Sequence, residues 1–292
     1  MADDLWWPWM WAVGGLLSGS FLNVVIHRCP RILAADPPAN ERFDLAYPRS
    51  HCPHCQTPLT LPQLIPVLSF LWLRGRCGHC HHPIPWRYPA VELINTAWWL
   101  WCALALPGWL SPATLHSAPS SGYGSGLAGM LTWGPSLVWA LWGSTLLALA
   151  WIDWDSTWLP DSLTQPLVWG GLIAAALGWS GQPLLQALMG AVLGYLSLWS
   201  VATVFQWITG QEGMGGGDFK LLAALGAWMG PLLLIPLVLM ASILGVLVGL
   251  ILRARGELRE GRYIPFGPFL IAAAVALRLG LDRPLLILWG VA

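Results

Sequence analysis

Leu5-Trp6-Trp7-Pro8-Trp9-Met10-Trp11-Ala12-Val13-Gly14-Gly15-Leu16-Leu17-Ser18-Gly19-Ser20-Phe21-Leu22-Asn23-Val24-Val25-Ile26 is an unbroken run without a charged side chain. A helix rises about 1.5 Å per residue, so a run of this length reaches across the roughly 30 Å hydrocarbon core of a bilayer. Asp3 and Asp4 precede it where a signal peptide carries a basic region, so it reads as a retained membrane helix.

Composition extends that reading to the whole chain. Of 292 residues, 56% are hydrophobic and only 10% are charged, whereas soluble domains carry roughly a quarter charged residues. Too few charges are present to solvate a globular surface, and the apolar content excludes disorder. The formal net charge is zero, so there is no basic footprint for nucleic acid. Many of the 22 Trp residues suit headgroup depth, where an amphipathic ring is favoured. The natural surroundings of this chain are therefore the lipid bilayer.

Hydropathy windows of about 19 residues mark eight spans, at 5–26, 90–109, 132–152, 164–180, 185–208, 219–230, 231–252 and 265–289. The sixth is short, the seventh begins at the Gly230-Pro231 break, and the last is interrupted by Arg278, Asp282 and Arg283. The expected fold class is an all-α polytopic membrane protein with about eight transmembrane helices and a small loop module. Residues 1–26 form the first transmembrane helix, 27–89 the loop module and 90–292 a second, transmembrane domain.

With the N-terminus outside, the inner loops hold Arg28, Arg31, Arg42, Arg49, Arg74, Arg76, Arg87, Lys220, Arg253, Arg255, Arg259 and Arg262, against Arg278 and Arg283 outside. Excess basic charge marks the cytoplasmic side. The Ser- and Gly-rich 110–131 segment is then an exported loop, and the 27–89, 153–163 and 209–220 segments share the cytoplasmic face.

Within the first of these, Cys52-Pro53-His54-Cys55 and Cys77-Gly78-His79-Cys80 are two C-x2-C knuckles separated by residues 56–76. Four thiolates so arranged match a closed tetrahedral zinc site, and cytoplasmic thiols stay reduced rather than forming disulfides. A four-sulfur shell leaves no open position, so the zinc is structural. His51, His54, His79, His81 and His82 crowd the module as substitute ligands or polar surface, while Cys29 and Cys102 stand alone.

Ionisable groups in or beside spans are costly and mark function. Asp153 ends the third span in Trp151-Ile152-Asp153-Trp154-Asp155-Ser156-Thr157-Trp158-Leu159-Pro160-Asp161, and Asp218 opens the sixth in Gly213-Met214-Gly215-Gly216-Gly217-Asp218-Phe219-Lys220. Two carboxylates brought close cannot both ionise, so they share a proton. The ionised one can activate water while the protonated one polarises a peptide carbonyl. Gly215 and Gly217 permit unusual backbone angles and close approach of a substrate strand. Each residue also has a plainer role: Asp155 in a loop, Asp161 as a helix cap after Pro160, the glycines as a turn. Lys220 either engages the Asp218 carboxylate or the substrate backbone, or anchors the helix end. Glu92 either meets a basic substrate group or makes a structural ion pair.

Taken together, these motifs resemble the type IV prepilin peptidase family. Gly19-Ser20-Phe21-Leu22-Asn23-Val24-Val25-Ile26-His27-Arg28 is similar to the end of the family's opening helix. The cysteine module with Arg74-Gly75-Arg76-Cys77 and Arg87-Tyr88-Pro89-Ala90-Val91-Glu92 resembles its large loop, and Gly213 to Lys220 resembles its GxGD signature. Leu64 stands where the family usually has Asn ahead of Ile-Pro. The resemblance implies an aspartyl endopeptidase of the bacterial inner membrane that removes the leader of prepilins and pseudopilins after a glycine, at the cytoplasmic face. It further implies N-methylation of the new amino terminus by S-adenosylmethionine, although no glycine-rich nucleotide fingerprint is present. The family's catalytic pair carries over onto Asp153 and Asp218, with Asp155 second to Asp153. Two rival readings are a transporter whose midplane acids bind protons or cations and a non-enzymatic pilus or secretion assembly protein. Asp218→Asn distinguishes them, since it abolishes cleavage only in the enzyme.

Overall fold

The structure, a computed structural model, describes residues 6–34, 43–105, 125–211, 213–256 and 264–281. Among these residues no strand forms; only two isolated bridges, His51 with Pro58 and Arg76 with Pro83, interrupt helix and loop. The helices are α1 (Trp7–Ala34), α2 (Leu68–Trp72), α3 (Arg87–Ala105), α4 (Ser125–Ser156), α5 (Asp161–Ala176), α6 (Leu184–Thr209), α7 (Gly216–Met229), α8 (Leu234–Ala254) and α9 (Gly267–Ala276). Short 3-10 turns at Leu61–Leu64 and Pro231–Leu233 precede α2 and α8, and a π-helical turn, Leu277–Leu281, follows α9.

Each of the eight stretches read as spans carries a helix, but among the described residues four segments are long and apolar enough to cross a membrane: Trp7–Leu33, Trp133–Ser156, Leu184–Thr209 and Pro231–Ala254. The difference from eight is one of length and polarity. At about 1.5 Å per residue, α5, α7 and α9 fall short of a roughly 30 Å core, and α3 carries Glu92, Asn95 and Thr96 along its length.

Three boundaries also move. α1 continues through His27-Arg28-Cys29-Pro30 to Ala34, because Arg28 is buried and donates to the carbonyls of Asp44, Leu45 and Pro48. α4 starts at Ser125, so the last residues of the segment expected as an exported loop are helical. Asp153 and Asp155 are likewise helical, in the last turn of α4. Residues 106–124 and 282–292, which hold the rest of that loop and of the eighth span, lie outside the described residues.

The chain divides into two compact units. Residues 1–110 with 139–148 form one, and residues 111–138 with 149–292 the other. In the first, α3 runs antiparallel to α1, since Gly14, Gly15 and Gly19 face Trp99, Thr96 and Glu92 in turn. A side chain on any of these glycines would collide with α3. Buried Asn95 stitches the unit by donating to the Gly15 carbonyl and the Ser18 hydroxyl, both at 2.8 Å, and by accepting from the Ser144 hydroxyl at 2.7 Å. Polar groups removed from water need such partners.

The second unit is built around α7. Its residues from Leu221 to Met229 are all buried, which explains a helix that is apolar on every side yet too short to span. Gly190 and Gly194 of α6 form a small-xxx-small pair against Gly226 and Leu222 of α7, so the two backbones touch. On its other flank, the Trp228 indole donates to the Leu167 carbonyl of α5 at 2.8 Å. α7 is thereby clamped from both sides, and its N-terminal turn carries Asp218.

Candidate active site

Asp153 and Asp218 both belong to the second unit. Asp153 is 4% exposed, and its Oδ2 has no hydrogen-bond partner. A buried carboxylate oxygen left unpaired is costly and rare in a purely structural role. Asp155, two residues on, is exposed. Asp218, the residue ahead of the 219–230 stretch, is half-buried. Burial and, second, the charge of Asp153 push its carboxyl up to about 7. The two acids are thus electrostatically coupled, which lets a pair hold one proton near neutrality.

The surroundings come from one bend and two glycines. After α4 the chain turns at Thr157 (φ 55°) and reaches Leu159-Pro160, where Leu159 is buried. A Cβ on Gly217 would stand 2.9 Å from the Leu159 Cβ, and one on Gly267 would stand 2.5 Å from Asp153 Oδ2. Gly217 therefore lets the start of α7 close on the Leu159 bend, and Gly267 lets the start of α9 close on the carboxylate. Gly267 was not singled out from the sequence; its one signal is the Gly267-Pro268 pair opening a helix.

The expected reason for the glycines before Asp218 needs correction. Gly215 takes φ −74° and ψ 144°, and neither it nor Gly217 adopts a positive φ. Any residue reaches those angles. Close approach is what Gly217 supplies, while Gly215 and Gly216 face open space.

Lys220 engages Asp161 rather than the Asp218 carboxylate. Its ammonium donates to both oxygens of Asp161, at 2.6 and 2.8 Å. Asp161 in turn is not a cap: Pro160 occupies the N-cap position of α5 and no side chain caps it. Glu92 makes no ion pair among the described residues. It lies buried in α3 and accepts the Val67 amide at 2.7 Å.

In the first unit the four cysteine sulfurs converge, all within 4.8 Å of one another, with Cys52 and Cys80 Sγ 3.9 Å apart. Zn–S bonds of about 2.3 Å require tetrahedral edges of about 3.8 Å, so the donor set fits. The two knuckles repeat one backbone pattern. Cys52 N–H bonds the Thr57 carbonyl and Gln56 N–H the Cys52 carbonyl; Cys77 and His81 bond His82 and Cys77 in the same way. Gln56 and His81 share φ 57°. Hydrogen bonds from Thr57 hold the Cys55 thiol down at about 6, while burial and the neighbouring Cys55, Cys77 and Cys52 thiols push the Cys80 thiol up to about 11, so without a metal the cluster holds thiol and thiolate side by side. No histidine joins this cluster; His54 and His82 stack on each other at 4.4 Å.

Comparison with known proteins places these features in context. Residues 13–106 match the family described as Bacterial Peptidase A24 N-terminal domain, and residues 140–250 match the Type IV leader peptidase family. A prepilin leader peptidase/N-methyltransferase of Aeromonas salmonicida is 42% identical over 94% of this chain and 92% of its own length. Proteins of the same name from Stutzerimonas stutzeri (43% identical, 91% and 88% covered) and Dickeya chrysanthemi (41%, 91% and 90%) are similarly close. No solved structure matches.

Proposed function

The chain belongs to the type IV leader peptidase family, and from that premise we propose that Asp153 and Asp218 are its catalytic pair. The enzyme is an aspartyl endopeptidase that removes the leader of type IV prepilins and pseudopilins, cutting after glycine, and methylates the freed amino terminus. One observation carries the assignment of residues: Asp153 is buried with its Oδ2 unpaired, and Gly217, beside Asp218, packs on the Leu159 bend that follows Asp153.

In the hydrolytic step the ionised carboxylate takes a proton from water as the water oxygen attacks the scissile carbonyl carbon. The protonated carboxyl gives its proton to the carbonyl oxygen. The tetrahedral intermediate then collapses, the C–N bond breaks, and the leaving amine takes a proton from the pair. Gly215 and Gly216 leave space for the extended substrate, and Gly217 keeps α7 against the Leu159 bend. Lys220 holds Asp161 and so fixes the first turn that carries Asp218.

Residues 1–26 serve as the first transmembrane helix, 27–89 as the cytoplasmic module and 90–292 as the transmembrane catalytic domain. All eight helical stretches take part in the membrane assembly, the shorter ones packed within it. The enzyme lies in the bacterial inner membrane with its site at the cytoplasmic face, as the distribution of basic residues indicates. Zinc on Cys52, Cys55, Cys77 and Cys80 would hold the module together. S-adenosylmethionine supplies the methyl group in the second reaction; the described residues contain no strand–turn–helix nucleotide cradle, and no step is assigned to them there.

The test is incubation of the purified protein in detergent with a candidate prepilin, reading product mass and N-terminus. Cleavage after glycine by the natural chain, abolished by Asp218→Asn with prepilin binding retained, supports the reading. Undiminished cleavage by that variant overturns the assignment of Asp218.

A further inference from the structure

Between Arg49 and Arg74 the chain carries no Asp, Glu, Lys or Arg, and its later part is strongly apolar yet unpacked. Leu61 is 82% exposed, Leu68 63%, Leu71 64% and Trp72 77%. Leu64 and Ile65 are exposed as well, and so is Trp86, next to the first residue of α3. In water such a surface would be an aggregation liability, so a patch of this kind marks a partner.

Its position identifies which partner. The Val67 amide is bound by Glu92 Oε2, and Glu92 packs where a Gly19 Cβ would meet its Cα. Gly19 lies seven residues inside the charge-free run that ends at Ile26, about 10 Å along the axis at 1.5 Å per residue. The turn at Val67, itself held at φ 59°, is therefore tethered at a level where α1 is still an apolar membrane helix. Arg74 and Arg76 follow Trp72 and are exposed, the sequence of apolar, aromatic and basic groups that suits a bilayer surface carrying anionic headgroups.

We propose that residues 61–73 form a membrane-surface element whose Leu61, Leu68, Leu71 and Trp72 side chains enter the leaflet at the C-terminal end of α1, with Arg74 and Arg76 on anionic phospholipid. The cysteine module then lies against the bilayer rather than projecting from it.

Hydroxyl-radical footprinting of the natural chain in phosphatidylethanolamine–phosphatidylglycerol vesicles tests this. Leu68 and Trp72 should be labelled at least tenfold less than His81 and His82, which are also exposed in the protein. Equal labelling overturns the proposal. To identify what covers the patch, benzoylphenylalanine replaces Leu68 or Trp72, with His79 as control, and the irradiated adducts are weighed. Adducts of phospholipid mass at 68 and 72, and not at 79, support it; adducts of a second copy or of added prepilin overturn it. Neither readout uses cleavage, so each stands whatever becomes of the catalytic assignment.

Discussion

Lys220 Nζ lies 2.6 Å from Oδ1 and 2.8 Å from Oδ2 of Asp161, joining the first turn of α7 to the first turn of α5 two residues from Asp218. Both side chains reach solvent, at 34% and 59% exposure, and exposed pairs contribute only about 0.2–1 kcal/mol to stability. Asp161→Asn or Lys220→Met should therefore leave the melting temperature within a few degrees of the natural chain. Cleavage should suffer far more, since misplacement of a reacting group by about 1 Å can cost about 100-fold. The expected result is a fall in kcat with KM little changed, and partial recovery in the charge-swapped Asp161→Lys/Lys220→Asp protein. A fall in melting temperature matching the loss of rate would mean the pair is merely structural.

The raised carboxyl of Asp218 has a consequence for stability. Its ordinary value is 3.8 and its folded value about 7, so between these the folded chain binds more protons than the unfolded one. Stability then falls as pH rises through that window, and the group contributes nothing below it. Asp218→Asn removes the titration. The variant should gain melting temperature relative to the natural chain as pH goes from 4 to 7, with no difference at pH 4. A constant difference across that range would count against the shift.

Cleavage should show the same proton from the other side. A pair that needs one protonated carboxyl loses it above about pH 7, so kcat/KM should decline there; such a limb belongs to the pair rather than to one residue. A profile flat to pH 9 would exclude Asp218 as the proton holder.

Gly267→Ala would place a methyl carbon 2.5 Å from Asp153 Oδ2, closer than any such contact survives. Asp153 or the start of α9 must turn away, and cleavage should drop by about 10- to 100-fold. Gly170→Ala in α5 is the control, because the added carbon would come no closer than 3.5 Å to its nearest neighbour, Trp228; it should cleave prepilin nearly as well as the natural chain. Equal rates for the two variants would remove the α9 approach from the site.

Metal analysis should find one zinc per chain. Cys77→Ser, which breaks one knuckle of the four-sulfur cluster, should release it and expose the 50–83 segment to proteolysis. Structural zinc contributes roughly 10 kcal/mol or more to small modules, far above what this segment's few buried side chains supply. Full protease resistance in the metal-free variant would show that the knuckles fold without a metal.

Much of this protein is legible in its order of residues because the operative physics is local. Helix placement follows from apolar run length, and the Gly230-Pro231 break appears where the sequence puts it, with Gly230 at φ 78°. The C-x2-C knuckles close on one cluster because two intervening residues are enough to turn the chain. Run length does not say how much of a helix is covered by protein instead of lipid. That is why α7 reads as a short span and is in fact a helix buried between α5 and α6, and why four segments among the described residues meet the length and polarity of a crossing where eight were expected.

The acids Asp153 and Asp218 stand out in sequence because charge inside an apolar stretch is expensive, and the glycines around them because they are many. What sequence alone determined is therefore the membrane setting, the helical class, the cysteine cluster and the identity of the candidate acids. Only the tertiary structure decided which partner each polar group takes: Lys220 with Asp161, Glu92 with the Val67 amide, Gly267 against Asp153. Those pairings depend on side chains tens of residues apart meeting at separations of a few ångströms, and hydrogen-bond and contact energies vanish over distances that a pattern of residue types does not resolve.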